Sequence, residues 1–318
     1  MINRERFEKQ QIVYCFSSQG DKIKINNENV LILDKAGNAK LQVSCYRLFA
    51  IFVIGHSSIT TPVINYAHKF GFAIVLMSTT FKVYDIIGFR MEGNTILKTK
   101  QYAYSGNELA KYFVENKIIS QINTLKKLRE SSVDRTKAIK NMNLLLEQVD
   151  NTISLEEIMG YEGACAKLYF PQLFSEQEWL GRVPRIKRDY INSSLDIGYT
   201  ILFNFVESLL RIYGFDVYKG FLHQQFYMRK SLVCDVVEPF RCYIDWQLRK
   251  SINLNQIKAD DFKLIRGRYE LSFKQSKKYV GIFSECIDKQ RSEIFLFVQS
   301  LYRNFMRDND IEKYYRIR

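Results

Sequence analysis

The spacing of apolar residues changes once along the chain, close to residue 95. Before this point apolar residues mostly alternate with polar ones, and Gly or Asn breaks the β-branched and aromatic runs, which is typical of strands. We predict strands over residues 13–16, 22–25, 30–33, 41–54, 72–77 and 82–87. A helix is expected after the run 41–54, because a hydroxyl residue precedes Pro62 there. It should reach Lys69 and end at Gly71.

From about residue 94 onward, apolar residues recur every three or four positions, which is the period of an amphipathic helix. The clearest segments are 107–130, 136–149, 195–213 and 282–306. Pro171, Pro184 and Pro239 lie where helices should end or bend. The sequence therefore predicts an α+β fold, with a small β-rich domain over residues 1–93 and a larger, mainly α-helical domain over residues 94–318.

Composition places the chain among globular proteins. It has 318 residues, of which 47% are hydrophobic and 25% are charged. No apolar run approaches the roughly 18 residues that a membrane span needs. The charged start, without an apolar region behind it, predicts no secretory signal. Six cysteines without a CxxC pair predict free thiols, and together these features predict a cytosolic protein.

The charge balance favours a polyanionic partner. Lys and Arg number 47 against 34 Asp and Glu, a net charge of +13, with an excess of basic residues on both sides of residue 95. Nucleic acid is the first partner that such a balance suggests, although a basic enzyme without one has the same composition. Two clusters are candidates for DNA contact, although each alone is more typical of a solvated face. They are Arg182, Arg185, Lys187, Arg188, Arg229 and Arg241, and then Arg266, Arg268, Lys274, Lys277 and Lys278.

Most familiar catalytic motifs are absent from the sequence. It has no Walker loop, no GxGxxG after a strand, no GxSxG and no HExxH. One candidate that remains is Glu162, which lies in a helical segment rich in Gly and Ala. Small neighbours allow backbone or a ligand to come close. Glu162 is therefore either a solvated carboxylate or one that points into a polar pocket.

His223, Asp235 and Glu238 form the second candidate group. Asp235 and Glu238 are three residues apart on one face of an apolar helix, where like charges repel unless a cation lies between them. Pro239 should bend or end that helix beside the acids. Two carboxylates and an imidazole suit Mn²⁺ or Mg²⁺, and basic residues nearby suggest phosphodiester chemistry. The alternatives are a structural histidine and two solvated acids near a helix end.

Four stretches of the chain together match the pattern of one family. The most specific contains Gly214, Gly220, His223, Arg229, Leu232, Asp235 and Glu238 to Arg241; the others are Glu162 with Tyr169 and Phe170, Arg188 to Asn192 with Gly198 and Tyr199, and Gly55 to Pro62. This pattern resembles the CRISPR-associated integrase family, the larger of the two universal CRISPR adaptation proteins (CRISPR-associated protein one).

The resemblance implies a dimerising N-terminal β domain and a helical domain that binds one divalent ion, Mn²⁺ or Mg²⁺. The implied ligands are Glu162, His223 and Glu238, with Asp235 as a neighbouring catalytic acid. Because the family often has Asp at the third position, the choice between Asp235 and Glu238 stays open at this point.

The activity that the resemblance implies belongs to antiviral defence. A free 3′-hydroxyl of a short double-stranded DNA segment attacks a phosphodiester of the CRISPR repeat, so that a new spacer is integrated. The implied partners are a second copy of the chain, the small CRISPR-associated protein two, and DNA. Two alternatives from other classes are a stand-alone metal-dependent DNA nuclease and a non-catalytic nucleic-acid scaffold.

Overall fold

The computed structural model describes residues 4–79, 81–88, 93–129, 132–177, 179 and 181–317, and only the backbone at Arg6. A six-stranded mixed sheet comes first, in the order β3-β2-β1-β4-β5-β6. The pairs β1/β4 and β4/β5 are parallel, and the remaining pairs are antiparallel. The strands are β1 (Gln11–Asn26), β2 (Asn29–Leu33), β3 (Ala39–Ser44), β4 (Leu48–Ile59), β5 (Ala73–Met77) and β6 (Val83–Ile87).

Helices make up most of the chain after the sheet. Two helices lie earlier, α1 (Arg4–Glu8) and α2 (Thr61–Phe70). The later ones are α3 (Thr95–Ala103), α4 (Glu108–Lys126), α5 (Val133–Asn151), α6 (Leu155–Leu173), α7 (Tyr190–Tyr213), α8 (Ser231–Val237), α9 (Arg241–Asn253) and α10 (Phe273–Met306). A 3₁₀ turn, Glu238–Phe240, separates α8 from α9, and a hairpin of β7 (Phe262–Ile265) and β8 (Arg268–Leu271) precedes α10.

Both faces of the sheet are covered, and β4 shows why. Ile51 and Val53 point to the face on which α2 packs, whereas Phe52 and Ile54 belong to a core shared with the later helices. Aromatic contacts continue that shared core: Phe49 of β4 contacts Phe205 of α7 with 5.8 Å between ring centroids. The sheet therefore gives α7 and α10 an apolar surface to pack on.

The predicted α+β fold is confirmed, with three local differences. The predicted strands 13–16 and 22–25 are parts of one long strand, β1. The predicted strand 41–54 was wrong as one element, because a 3₁₀ turn, Cys45–Arg47, divides it into β3 and β4. The hairpin β7–β8 was not predicted at all.

Other expectations agree with the structure or stay open. Gly71 ends α2 with a φ of 70°, as its position after Lys69 predicted. All six cysteines are free. The predicted division into domains near residue 93 stays a prediction, and residues 89–92 beside it lie outside the described residues. In the described part of the chain no helix is long and apolar enough to cross a membrane; the cytosolic location stays a prediction.

Gly55 lies at a close approach between the backbones of β1 and β4. Its φ is +112°, and a Cβ there would lie 2.2 Å from the carbonyl oxygen of Ser17 on β1. Gly37 has a similar φ of +90° with open space around it. We expect Gly55→Ala to lower the free energy of unfolding by about 3 kcal/mol and Gly37→Ala by about 1 kcal/mol, measured by urea unfolding. Equal losses in the two variants would show that the close approach to Ser17 is unimportant.

Candidate active site

Three helical segments and one connecting segment carry the four predicted site residues, and helix α4 packs against the site. Glu162 lies on α6, Asp235 on α8, Glu238 opens the 3₁₀ turn, and His223 lies in the connection between α7 and α8. Helix α4 contacts both α6 and the 3₁₀ turn. Its Lys117 points between them.

Asp235 holds His223 in place. The fully buried Asp235 carboxylate accepts hydrogen bonds from the backbone N–H groups of Phe221 (2.6 Å), Leu222 (3.0 Å) and His223 (2.9 Å). The same carboxylate lies 2.7 Å from Nδ1 of His223. An ionised carboxylate only accepts, so Nδ1 is the donor of this bond, and in a neutral imidazole Nε2 would then carry the lone pair. Asp235 therefore fixes the orientation of the imidazole ring, as acids behind a metal-binding histidine do.

Gly220 makes this arrangement possible. A Cβ at Gly220 would lie 2.8 Å from Oδ2 of Asp235 and 2.8 Å from Cβ of Ser231. Such distances are far inside van der Waals contact, so a larger residue would push the loop away from Asp235.

Lys117 links the two predicted carboxylate ligands. Its ammonium donates to Oε1 of Glu162 and to Oε2 of Glu238, the second at 2.5 Å. The other oxygen of Glu238 lies 3.0 Å from a guanidinium nitrogen of Arg241. Burial works against the ionised form of Glu238, but Arg241 and Lys117 outweigh it and, with a contribution from His223, lower the pKa of Glu238. The group is therefore a charged network, and His223 is close enough to act on it.

The donor set fits a hard divalent cation, although the described residues contain no preformed group of three His, Cys, Asp or Glu side chains that could hold one. Glu162 and Glu238 meet at a single cation, the ammonium of Lys117. His223 is close enough to Glu238 to act on its charge. Two carboxylates that share one cation, with an imidazole nearby, suit Mn²⁺ or Mg²⁺. The ligand assignment itself stays a prediction.

Tyr199 and Asp245 support the arginines beside the carboxylates. The Tyr199 ring lies between the guanidinium groups of Arg182 and Arg241, at 5.2 and 5.0 Å from its centroid. Its hydroxyl donates to the buried Asp245, as does the hydroxyl of Tyr169 at 3.2 Å. Burial raises the pKa of Asp245 to about 6, although both hydroxyl groups oppose the rise.

Two cavities meet at this site. The smaller, of about 420 Å³, is lined by Glu162, Glu238, Lys117 and Asp245, among others. The half-buried Glu162 thus faces a polar pocket and is not a fully solvated carboxylate, which is the second of the two alternatives that the sequence left open. A Cβ at Gly160 or Gly163 would meet nothing within 4 Å, so the small residues of α6 leave open space and do not admit neighbouring backbone.

The larger cavity, of about 880 Å³, shares Arg182, Pro184, Tyr199 and Arg241 with the smaller one. It extends past Arg185, Lys187 and Lys230 toward Phe81 and Val83, beside β6. A basic cleft therefore leads from the sheet to the carboxylates.

The predicted DNA-contact residues fall into two groups. Arg182 bonds Asp196 and Asn192, and Arg241 bonds Glu238, so these two arginines are part of the site's own network. Arg185 and Arg188 are exposed, while Lys187 and Arg229 are half-buried. The backbone N–H of Tyr269 donates to the carbonyl oxygen of Lys187 at 2.9 Å. This contact brings the second basic cluster, on the hairpin and the start of α10, beside the first.

Sequence reasoning missed Lys117 and Asp245. Lys117 was detectable in principle, since it occupies a buried position of α4 one turn after Phe113 and one turn before Gln121. A lysine on a buried helix face needs a partner, but the identity of the partner depends on the fold.

Known proteins of similar sequence identify the family of this chain. Residues 14–285 match the family model described as CRISPR associated protein Cas1. The chain belongs to the Cas1 family. A relative named CRISPR-associated endonuclease Cas1 1, from Thermodesulfovibrio yellowstonii, is 27% identical over 276 residues, which are 82% of this chain and 87% of the relative.

Solved structures share the Cas1 fold. One, titled Casposase bound to integration product, has a TM-score of 0.77 at 21% identity and covers 95% of this chain and 92% of its own. Another, titled Cas6-RT-Cas1--Cas2 complex, has a TM-score of 0.79 at 21% identity. The match covers 96% of this Cas1 chain but only 36% of that longer chain.

The raised pKa of Asp245 predicts that the stability of the folded chain depends on pH. Its folded pKa of about 6 lies above the roughly 3.9 of an unfolded aspartate, so its contribution to stability is complete below pH 4 and is lost as the pH rises through 6. Two pKa units correspond to about 3 kcal/mol. We expect the stability of wild type relative to Asp245→Asn to fall by up to that amount between pH 4.5 and pH 8, measured by urea unfolding. A difference that is flat or rises with pH would contradict the assignment.

Proposed function

We propose that this chain is a divalent-metal-dependent DNA integrase and endonuclease of CRISPR adaptation, which inserts short DNA segments into a CRISPR array. The observation that carries the proposal is the convergence of Glu162 and Glu238 on one cation at the end of a basic cleft, beside a histidine held by Asp235. Membership of the Cas1 family and the likeness to a casposase bound to integration product support the same activity.

The proposed metal ligands are Glu162, Glu238 and Nε2 of His223. Asp235 is not among them in this proposal, because its carboxylate already accepts three backbone hydrogen bonds and the imidazole bond. It acts by holding the His223 ring in place through the bond to Nδ1. When bound, Mn²⁺ or Mg²⁺ would stabilise negative charge on the phosphoryl oxygens during transfer.

The proposed reaction is a phosphoryl transfer between two oxygens. The 3′-hydroxyl oxygen of the incoming DNA forms a bond to a phosphorus of the repeat, and the bond from that phosphorus to the departing strand breaks. The attacking hydroxyl loses a proton and the departing 3′-oxygen gains one. The number of phosphodiester bonds is unchanged, so the step needs no external energy source. With water as the attacker, the same site hydrolyses DNA.

The protein's own groups would bind and orient the DNA. Arg241 and Arg182, held against Tyr199, place positive charge where the two cavities meet. The exposed Arg185 and Arg188, with Arg266 and Arg268 of the hairpin nearby, would follow the DNA backbone outward. Contacts of this kind position nucleic acid without reading its sequence.

The proposed assembly contains more than one chain. We propose a homodimer through the N-terminal sheet, together with double-stranded DNA and the small CRISPR adaptation partner. The family resemblance supports the dimer, and the fold likeness to a chain of a complex titled with both Cas1 and Cas2 supports the partner.

The decisive experiment measures strand transfer by Glu162→Gln and Glu238→Gln. Labelled DNA with free 3′-hydroxyl ends is incubated with a plasmid carrying a repeat array, the small partner and Mn²⁺. Each change removes a proposed ligand, so the amount of joined product should fall by more than ~100-fold. That exceeds the loss of activity typical when a residue that only supports a metal ligand is replaced. DNA affinity should remain, since phosphate contacts supply it.

Glu156→Gln, on the exposed face of α6, is the matched control and should join DNA normally. Wild type that only cuts DNA would favour the stand-alone nuclease. Full joining by Glu162→Gln would contradict the proposed site.

A second experiment tests the basic cleft. The double variant Arg185→Ala/Arg188→Ala removes two exposed cations, so the slope of log affinity for duplex DNA against log salt should become shallower by about one to two. Fluorescence anisotropy at several salt concentrations measures it. Lys137→Ala/Lys140→Ala on α5 removes the same charge from exposed positions that line neither cavity. Equal changes in both double variants would contradict a DNA path through the cleft.

A further inference from the structure

Lys117 lies in a position that packing alone does not explain. Helix α4 is buried along most of its length, and Lys117 is 6% exposed. A lysine is rarely buried to this extent without a paired charge. Its hydrogen bonds go to Glu162 and Glu238, the two carboxylates of the proposed metal site.

The charges at the site balance without any metal ion. Glu162 and Glu238 supply two negative charges, while Lys117 and Arg241 supply two positive ones. A divalent cation between the carboxylates would add two positive charges beside the ammonium of Lys117. The carboxylate oxygens that hold the ammonium are the ones such an ion needs, so the ion and the ammonium compete for them.

We propose that Lys117 is an internal counter-ion that holds Glu162 and Glu238 together until a divalent cation displaces its ammonium group. The inference rests on the proposed function, because only there are Glu162 and Glu238 metal ligands. Lys117 is thus a positioning residue. It prevents the half-buried Glu162 and the buried Glu238 from repelling each other in the metal-free chain, and it weakens metal binding by the energy needed to displace it.

The test measures Mn²⁺ affinity and thermal stability of the full chain without DNA. Lys117→Gln keeps hydrogen-bond donors but removes the charge, and Lys117→Met removes both. Titration calorimetry should give at least tenfold tighter Mn²⁺ binding for each variant, because the competing cation is gone. In EDTA both variants should melt several degrees below wild type, and Mn²⁺ should raise their Tm by more than it raises that of wild type.

Two controls define the result. Lys126→Gln, at an exposed position near the end of the same helix, should change neither Mn²⁺ affinity nor Tm. Lys117→Met/Glu162→Gln restores the charge balance and should fold, yet lose the tight Mn²⁺ binding. If this double variant binds Mn²⁺ as tightly as Lys117→Met, the ion lies elsewhere and the proposal is wrong.

Unchanged or weaker Mn²⁺ affinity in folded Lys117→Gln would also overturn the proposal, whatever happens to Lys117→Met. The proposed role of Lys117 and the proposed integrase function can fail independently of each other. Wild type that fails to join DNA would overturn the integrase proposal but leave the affinity comparison intact. Normal joining by wild type with unchanged affinity in Lys117→Gln would overturn only the role of Lys117.

Discussion

The attraction between one ammonium and two carboxylates organises the helical part of this Cas1-family chain. Lys117, Glu162 and Glu238 come from α4, α6 and the 3₁₀ turn before α9, and all three point into one cavity. Buried carboxylates at such a meeting point repel unless a cation lies between them. The packing of α4 against α6 and against the turn therefore also depends on the balance of these charges. A change in one of these segments affects the others.

The sheet and the Asp235 loop make that meeting point durable. On its helical side, the sheet gives the helices an apolar surface through pairs such as Phe49 with Phe205 of α7 and Phe16 with Phe273 of α10. At the end of α7, Gly220 lets the loop close on Asp235, which then orients His223. Apolar burial thus sets the positions of the helices, and hydrogen bonds set the orientation of the side chains.

Local chemistry predicted part of this arrangement and tertiary contacts determined the rest. The break at Pro239 was predictable, because proline cannot continue the hydrogen bonding of a helix, and α8 does end at Val237. The hairpin β7–β8 was not, since its strands are four residues long and largely exposed, with little apolar alternation. The partners of Lys117 were not predictable either, because they lie far away in sequence. The hydrogen bonds that set Asp235 apart from Glu238 come from the backbone of residues 221–223, which no spacing rule describes.

The contact between Gly220 and Asp235 also limits how this chain can drift over evolutionary time. Both oxygens of the Asp235 carboxylate already accept hydrogen bonds, and a side chain longer by one methylene would push the carboxylate into the loop that it holds. Gly220 in turn has no room for a Cβ. Neither position can change alone without opening the loop, so the two should be lost or retained as a unit. Glu238 faces a cavity, where a shorter acid leaves space that solvent can fill. The two acids are therefore constrained differently, Asp235 by the steric fit of the loop and Glu238 by its ion pairs with Lys117 and Arg241.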